Sequence, residues 1–397
     1  MISRRFLITK RGEQILSCLM DGSRAVEIHL DARETSRLGD IWIGKILNIA
    51  RNIQAAFVEV EPGVTGYLPL EDLKNPVYTK KGKSEGPQAG DELLVQVVRD
   101  AQKTKYMTLS TNLTLTGKYV ILTNGNPMHS VSSKLGKSDR ERLLKVLQES
   151  VPAGSDSGWI VRTNAAAADE AAIREEIQNL HHRFQELMSV AMYRTCYSCL
   201  QKREERYLTR LMDLYSDSYE EILTDDEDLY EEVSSFLNLH MKESVGRLRL
   251  YKDRMVSMTS LYSLESRLQE ALSEKVWLPG GGYLIIQATE ALTVVDVNTG
   301  SYEKGKEKES AFLKVNLEAA EETARQLRLR NISGMIIIDF INMKKQEHKE
   351  TLLSALRNAC RKDPVRCDVV DMTALELVEM TRRKVEAPLA EQVRQKP

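Results

Sequence analysis

Two short apolar runs in this chain each end on an acid, and a long amphipathic segment separates them. Ala291-Leu-Thr-Val-Val leads into Asp296-Val297-Asn298, and Gly334-Met-Ile-Ile-Ile leads into Asp339-Phe340. Both runs are β-branched and bounded by glycine or polar residues, the pattern of buried strands. Between them, residues 309–330 carry Phe312, Val315, Ala319, Ala320, Ala324 and Leu327 at helical spacing. A strand, a helix and a strand of that length form a right-handed crossover, so the two strands are expected to lie parallel. Both acids then fall at the carboxyl end of one sheet, where α/β proteins build their sites. A carboxylate at the mouth of a buried strand costs free energy unless a cation meets it. Two of them can share one hard divalent ion, as metal-dependent phosphodiester hydrolysis requires. From these strands alone, a pair of ordinary acids facing water is the competing reading.

A chain of 397 residues is too long for one small core, and roughly two to four domains are expected. Residues 1–35 alternate as three strands around turns at Gly12 and Gly22; too short to fold alone, they are expected to join a later segment. Residues 39–115 hold five short strands with glycine-marked turns, the count of a small closed barrel of OB type. Within them, residues 75–90 are polar and basic and read as a mobile loop. In residues 116–215, strands Tyr119-Val-Ile-Leu and Gly158-Trp-Ile-Val flank a helix near 138–149, and a long helix starts at Asp169. A further helix is expected over 191–214, carrying Cys196-Tyr-Ser-Cys199. Residues 216–278 read as mostly helical and acidic, ending at Trp277-Leu-Pro-Gly-Gly-Gly.

The formal net charge of −2 provides no global basic field, so any nucleic-acid contact must come from local patches. No run approaches the roughly 18 apolar residues of a membrane span. Met1-Ile-Ser-Arg-Arg-Phe-Leu-Ile makes a better first strand than a signal peptide, so a cytoplasmic location is expected. Five scattered cysteines do not form a disulfide framework. The CxxC pair, with His181-His182 upstream, lacks a glycine-rich knuckle; structural cysteines, and no structural zinc, are expected.

With a five-strand barrel upstream and this acid pair downstream, the chain resembles the ribonuclease E/G family of endoribonucleases, over essentially its whole length to about Pro388. The strongest stretch is Leu292-Thr-Val-Val-Asp-Val-Asn-Thr-Gly, then Asn316-Leu-Glu-Ala-Ala-Glu-Glu-Thr-Ala-Arg-Gln-Leu-Arg-Leu-Arg, then Gly334-Met-Ile-Ile-Ile-Asp-Phe-Ile-Asn-Met. The resemblance implies an α+β multidomain fold. A split RNase H-like part would occupy residues 1–38 and 216–278, an OB-fold RNA-binding barrel 39–115, a 5′-sensor region 116–215, and a DNase I-like α/β catalytic part 279–397. It implies that Asp296 and Asp339 coordinate Mg²⁺, with Mn²⁺ as a substitute, and that Asn298 positions the attacking water or the scissile phosphate. It also implies that Phe57, Tyr67 and Lys105 grip single-stranded RNA and stack a base. Arg162 and Thr163, supported by Arg366, would sense a 5′-monophosphate. On the residues alone, Phe57 also reads as core and Arg162 as a surface ion pair. The implied activity is Mg²⁺-dependent cleavage of single-stranded A/U-rich RNA, favouring 5′-monophosphate ends, in rRNA and tRNA processing and mRNA decay.

Three departures bear on these expectations. The family commonly places a Cys-Pro-x-Cys zinc link and a small dimerisation domain about where this chain reads Gln395-Lys-Pro397. Either a truncated sequence or a short form of the family is expected, as a monomer or a differently built homodimer. Asn342 stands where a further acid is usual, and Asn164-Ala-Ala-Ala-Ala replaces a glycine-containing turn. Two other classes stay open: a non-catalytic or weakly active RNA-binding protein of the same fold, and a DNA nuclease or phosphatase with a similar metal pair. The last explains the acids but neither the barrel nor the sensor residues.

Overall fold

The computed structural model describes residues 4–32, 37–73, 75–83, 85–101, 106–124, 127–152, 154–213, 219–300 and 308–394. These form two compact units. One draws on residues 1–33, 216–238 and 243–397, the other on 34–215 and 239–242.

In the first unit, the hairpin strands Arg4–Arg11, Gln14–Asp21 and Arg24–Ala32 find a distant partner. Arg4–Arg11 pairs in parallel with Glu221–Thr224, which pairs in turn with Leu248–Leu250. The segment after residue 216 is thus less helical than expected, because two of its short runs complete this sheet. Leu7, Leu16, Cys18 and Ile28 bury with Met258, Leu264 and Leu268.

The same unit holds a six-stranded sheet in the order Lys275–Trp277, Tyr283–Ala288, Leu292–Asn298, Gly334–Asp339, Leu377–Arg382, Cys367–Met372. Leu292–Asn298 and Gly334–Asp339 are parallel neighbours, with the helix Lys308–Leu329 between them in sequence. Alternate side chains of a strand point to opposite faces, and here the two faces differ sharply. Leu284, Val295, Val297, Ile336 and Ile338 are buried with Val315, Ala319 and Ala320 of the long helix and with Leu352 and Leu356 of the helix Gln346–Cys360. Each such side chain contributes about 1.5–3 kcal/mol by burial, which settles the register. The opposite face is uncovered enough that Asp296, Met335, Asp339, Glu379 and Thr381 are exposed.

The second unit contains the barrel. Strands Ile41–Ala50, Ala55–Glu61, Val64–Pro69, Met107–Ser110 and Glu92–Arg99 pair in that order, and the last returns to the first with Trp42 opposite Val95. Five strands therefore close on themselves. Gly66 makes this fit, since a Cβ there would stand 2.5 Å from Leu109. The 75–90 segment is more ordered than a plain loop. Tyr78–Lys80 adds to the barrel sheet, and the Asp91 carboxylate accepts N–H bonds from Gly82 at 2.8 Å and Gln88 at 2.9 Å.

Of the helix expected over 191–214, only the last part forms, as Arg206–Asp213. The helix Glu170–Ala191 stops, Tyr197 adopts φ +70°, and Cys199–Gln201 becomes a strand beside Ile41–Ala50. Tyr197 N–H donates to the Ile43 carbonyl at 2.8 Å, and Ile43 N–H donates to the Ser198 carbonyl at 3.0 Å. Capture by the barrel edge outweighs local helix propensity. A four-stranded sheet of Thr114–Thr116, Val120–Thr123, Gly158–Val161 and His129–Val131 packs around the buried Trp159 with the helices Lys137–Ser150 and Glu170–Ala191. No described helix is long and apolar enough to cross a membrane.

Candidate functional site

Asp296 and Asp339 are direct register partners on the parallel strands, so their backbones stand about 5 Å apart. Both side chains are exposed on the open face of the sheet. Asn298 lies two residues along the same strand and hence on the same face; its Nδ2 donates to Asp296 Oδ2 at 2.8 Å. Among the described residues, neither carboxylate has an ion-pair partner. Two like charges about 5 Å apart repel by about 1 kcal/mol in water and about 3 kcal/mol near a protein surface. Two carboxylates beside an amide, with no cation among the described residues to relieve them, suit a hard divalent ion that fills its shell with water and substrate oxygens.

Two further residues set this trio and were not singled out from the sequence. Asn316 is fully buried in the long helix. Its Nδ2 donates to the Ile341 carbonyl at 2.8 Å, and its Oδ1 accepts from Ile341 N–H at 3.0 Å. The backbone leaving Asp339 is thereby fastened to the helix that follows Asp296. The signal was an asparagine among the core positions of an amphipathic helix, since a buried amide needs partners. Gly300, at φ +59°, passes so near the turn before Tyr283 that a Cβ would stand 2.3 Å from the Gly281 carbonyl oxygen.

On the barrel, Phe57 and Tyr67 are register partners. Ala56 and Val58 point inward and are fully buried, whereas Phe57 is half-buried on the other side. It is therefore not a core residue. The rings meet edge to face, 6.4 Å apart at 77°. Tyr106 joins them 5.4 Å from Phe57 and is 57% exposed. Its only sequence cue was its place just before the strand that pairs Met107 with Gly66. Lys105 lies outside the described residues.

Arg162 directly follows the strand Gly158–Val161. Its Nη1 donates to the Gly117 carbonyl at 2.8 Å, and its Nη2 pairs with Asp213. Thr163 Oγ1 stands 3.2 Å from Ser132 Oγ. Behind Arg162, Glu176 accepts the N–H groups of Lys118, Tyr119 and Val120 at 2.6, 2.7 and 2.9 Å. Burial pushes the Glu176 carboxyl above the usual range although those hydrogen bonds oppose it. Gly117 has to be glycine here, because a Cβ would stand 2.6 Å from the Glu176 carboxyl. Arg366 belongs to the other unit, where its exposed side chain donates from Nε to Asp368 Oδ2 at 2.8 Å.

Residues 114–385 match the sequence model of the "Ribonuclease E/G family". Ribonuclease G of Escherichia coli (strain K12) is 33% identical over 392 residues, covering 92% of this chain and 76% of that protein. Ribonuclease E of Nostoc sp. is 33% identical over 359 residues, covering 88% of this chain and 51% of that protein. Ribonuclease E of Haemophilus influenzae is 27% identical over 398 residues, covering 98% and 42% respectively. The family match takes in the Arg162 strand, the crossover helix and both acid-ended strands, and the likeness to ribonuclease G extends over nine-tenths of the sequence. On those grounds this chain belongs to the ribonuclease E/G family.

Proposed function

We propose that this endoribonuclease of RNA processing cuts single-stranded, A/U-rich RNA at Asp296, Asn298 and Asp339 with Mg²⁺ bound, and favours 5′-monophosphate ends. The observation that carries the reading is the register pairing of Asp296 with Asp339 on an open sheet face, without a cation partner among the described residues. Asp296 and Asp339 would hold the ion, with Mn²⁺ as a substitute; when bound, it makes water more acidic and offsets charge on the phosphate. Asn298 steadies the Asp296 carboxylate from one side and keeps its own carbonyl oxygen as an acceptor for water. Phe57 and Tyr67 would stack unpaired bases at about 1–3 kcal/mol each, with Lys105 helping to grip the strand.

Arg162 can offer its planar fork to a terminal phosphate. Asp213 now pairs with its Nη2, so a 5′ group must outcompete one carboxylate, which a phosphate can do and an uncharged 5′-hydroxyl cannot. Thr163 would add a hydroxyl. The five-part division into RNase H-like, OB, sensor and DNase I-like segments belongs to this reading. So do a cytoplasmic location, a role in rRNA and tRNA maturation and mRNA decay, and assembly as a monomer or homodimer.

The test is a 5′-monophosphorylated A/U-rich oligoribonucleotide incubated with wild type or Asp296→Asn, in Mg²⁺ or in EDTA. Cleavage is expected for wild type with Mg²⁺ alone. Wild type that binds the RNA but never cuts it would sink the catalytic reading and favour a binding protein of the same fold.

A further inference from the structure

The open face of the six-stranded sheet carries more than the acid trio. One strand outward from Asp296, Tyr283 stands directly opposite Asn298; one strand further, Trp277 stands directly opposite Tyr283. With strands about 5 Å apart, this aromatic pair begins one strand from Asn298 and ends two strands away. The rings meet edge to face, 5.3 Å apart at 63°. Lys275 precedes Trp277 by two residues and so shares its face. Its Nζ lies 4.0 Å from the Trp277 ring centroid and 3.9 Å from that of Tyr283. Trp277 is 64% exposed, against 6% for Trp42 and 0% for Trp159. Lys275 and Tyr283 cannot cover both faces of an indole so open to solvent. A bare aromatic plane, a second ring and an ammonium beside a carboxylate pair are the parts of a single-strand nucleic-acid contact, one for a base and one for a phosphate.

We propose that Lys275, Trp277 and Tyr283 form a nucleotide subsite of the catalytic sheet. Trp277 stacks an unpaired base flanking the cleaved bond, Tyr283 props the indole and spaces it from Asn298, and Lys275 meets the adjoining phosphate. The subsite rests on the reading of Asp296, Asn298 and Asp339 as the cleavage site. It selects for unpaired RNA, because a base inside a duplex has no face left to offer. It reads no particular base, because stacking is sequence-tolerant.

Trp277 is its own reporter, being the exposed one of three tryptophans. An unstructured oligoribonucleotide is titrated in EDTA into the full chain, Trp277→Ala, Trp277→Phe and Lys275→Ala, and cleavage is then followed in Mg²⁺. Wild-type emission should be quenched on binding. Trp277→Ala should bind about 5- to 150-fold more weakly, the range for one stacked base, and raise KM with kcat retained. Trp277→Phe should restore most of the affinity but not the emission change. Lys275→Ala should lower the slope of log affinity against log salt by about one. Unchanged emission together with normal affinity in Trp277→Ala, in a protein that cleaves RNA, overturns the subsite and leaves the cleavage reading intact. Quenching and lost affinity in a protein that never cleaves supports the subsite and removes the cleavage reading.

Discussion

Replacing Asp339 with asparagine separates charge from shape at the acid pair. Asp339 is exposed, and its strand is held by backbone pairing to Leu292–Asn298 on one side and Leu377–Arg382 on the other. An isosteric change at such a position costs within about 0.5 kcal/mol. Against that stands the repulsion between two carboxylates on paired residues of strands about 5 Å apart, about 1–3 kcal/mol at such a separation depending on local dielectric. Without a divalent ion, Asp339→Asn should therefore be as stable as wild type or more so. At about 2–4 °C per kcal/mol for a unit of this size, the melting temperature in EDTA should rise by a few degrees. Mg²⁺ should reverse the order. An ion that binds the folded state stabilises it by mass action, so wild type should gain from Mg²⁺ while the variant gains little. Cleavage should fall with the lost metal site. Lewis-acid assistance amounts to several kcal/mol, and at 1.36 kcal/mol per factor of ten the rate should drop by about 10²–10³-fold or more. The assay is a pair of thermal melts, in EDTA and in Mg²⁺, with single-turnover cleavage of an oligoribonucleotide. A variant that melts several degrees below wild type in EDTA would show that Asp339 is structural. A variant that keeps Mg²⁺-dependent cleavage within threefold of wild type would show that the metal lies elsewhere.

Arg162→Ala should cut the preference for 5′-monophosphate over 5′-hydroxyl RNA by about tenfold or more, since hydrogen bonds to charged groups contribute about 1.5–3 kcal/mol; equal preferences in competition cleavage at low salt would remove the sensor role. Glu27→Gln probes a buried network, in which Arg328 Nε donates to Glu27 at 2.5 Å and His29 lies 3.6 Å away. Burial pushes Glu27 up, but Arg328 and His29 outweigh it and hold the carboxyl well below the usual range. A depressed carboxyl stabilises the fold fully above its unfolded pKa of about 4.3 and loses that stabilisation as pH falls toward the folded value. The variant should thus lie about 3 kcal/mol below wild type near neutral pH, the scale for breaking a buried pair. The gap should narrow below about pH 4, and urea melts showing the same gap at pH 7 and pH 3 would refute this.

Much of the site's outline was legible because periodicity is local. The alternation in Leu292–Asn298 places Asp296 and Asn298 on one face, and the apolar spacing of residues 309–330 marks the crossover that makes the strands parallel. The glycine-marked barrel strands were legible for the same reason. Illegible were partners chosen across long separations. The CxxC segment reads as helix by itself, yet it became a strand once the edge at Ile43 offered an N–H and a carbonyl. Tyr106 has no meaning until the barrel closes and brings it to Phe57. Arg162 reads as a surface ion pair on the residues alone, but its partner, Asp213, some fifty residues on, has no local signal.

The sequence by itself determined which side chains share a face, because a strand repeats every two residues and a helix every 3.6. Tertiary structure decided which of those faces meet. Burial of Val295, Val297, Ile336 and Ile338 beneath the helices selects a single register, and a one-residue slip would turn every one of them to water. That selection sets Asp296 against Asp339 rather than one residue past it, and Asn316, whose partner no local pattern names, clamps the backbone that follows.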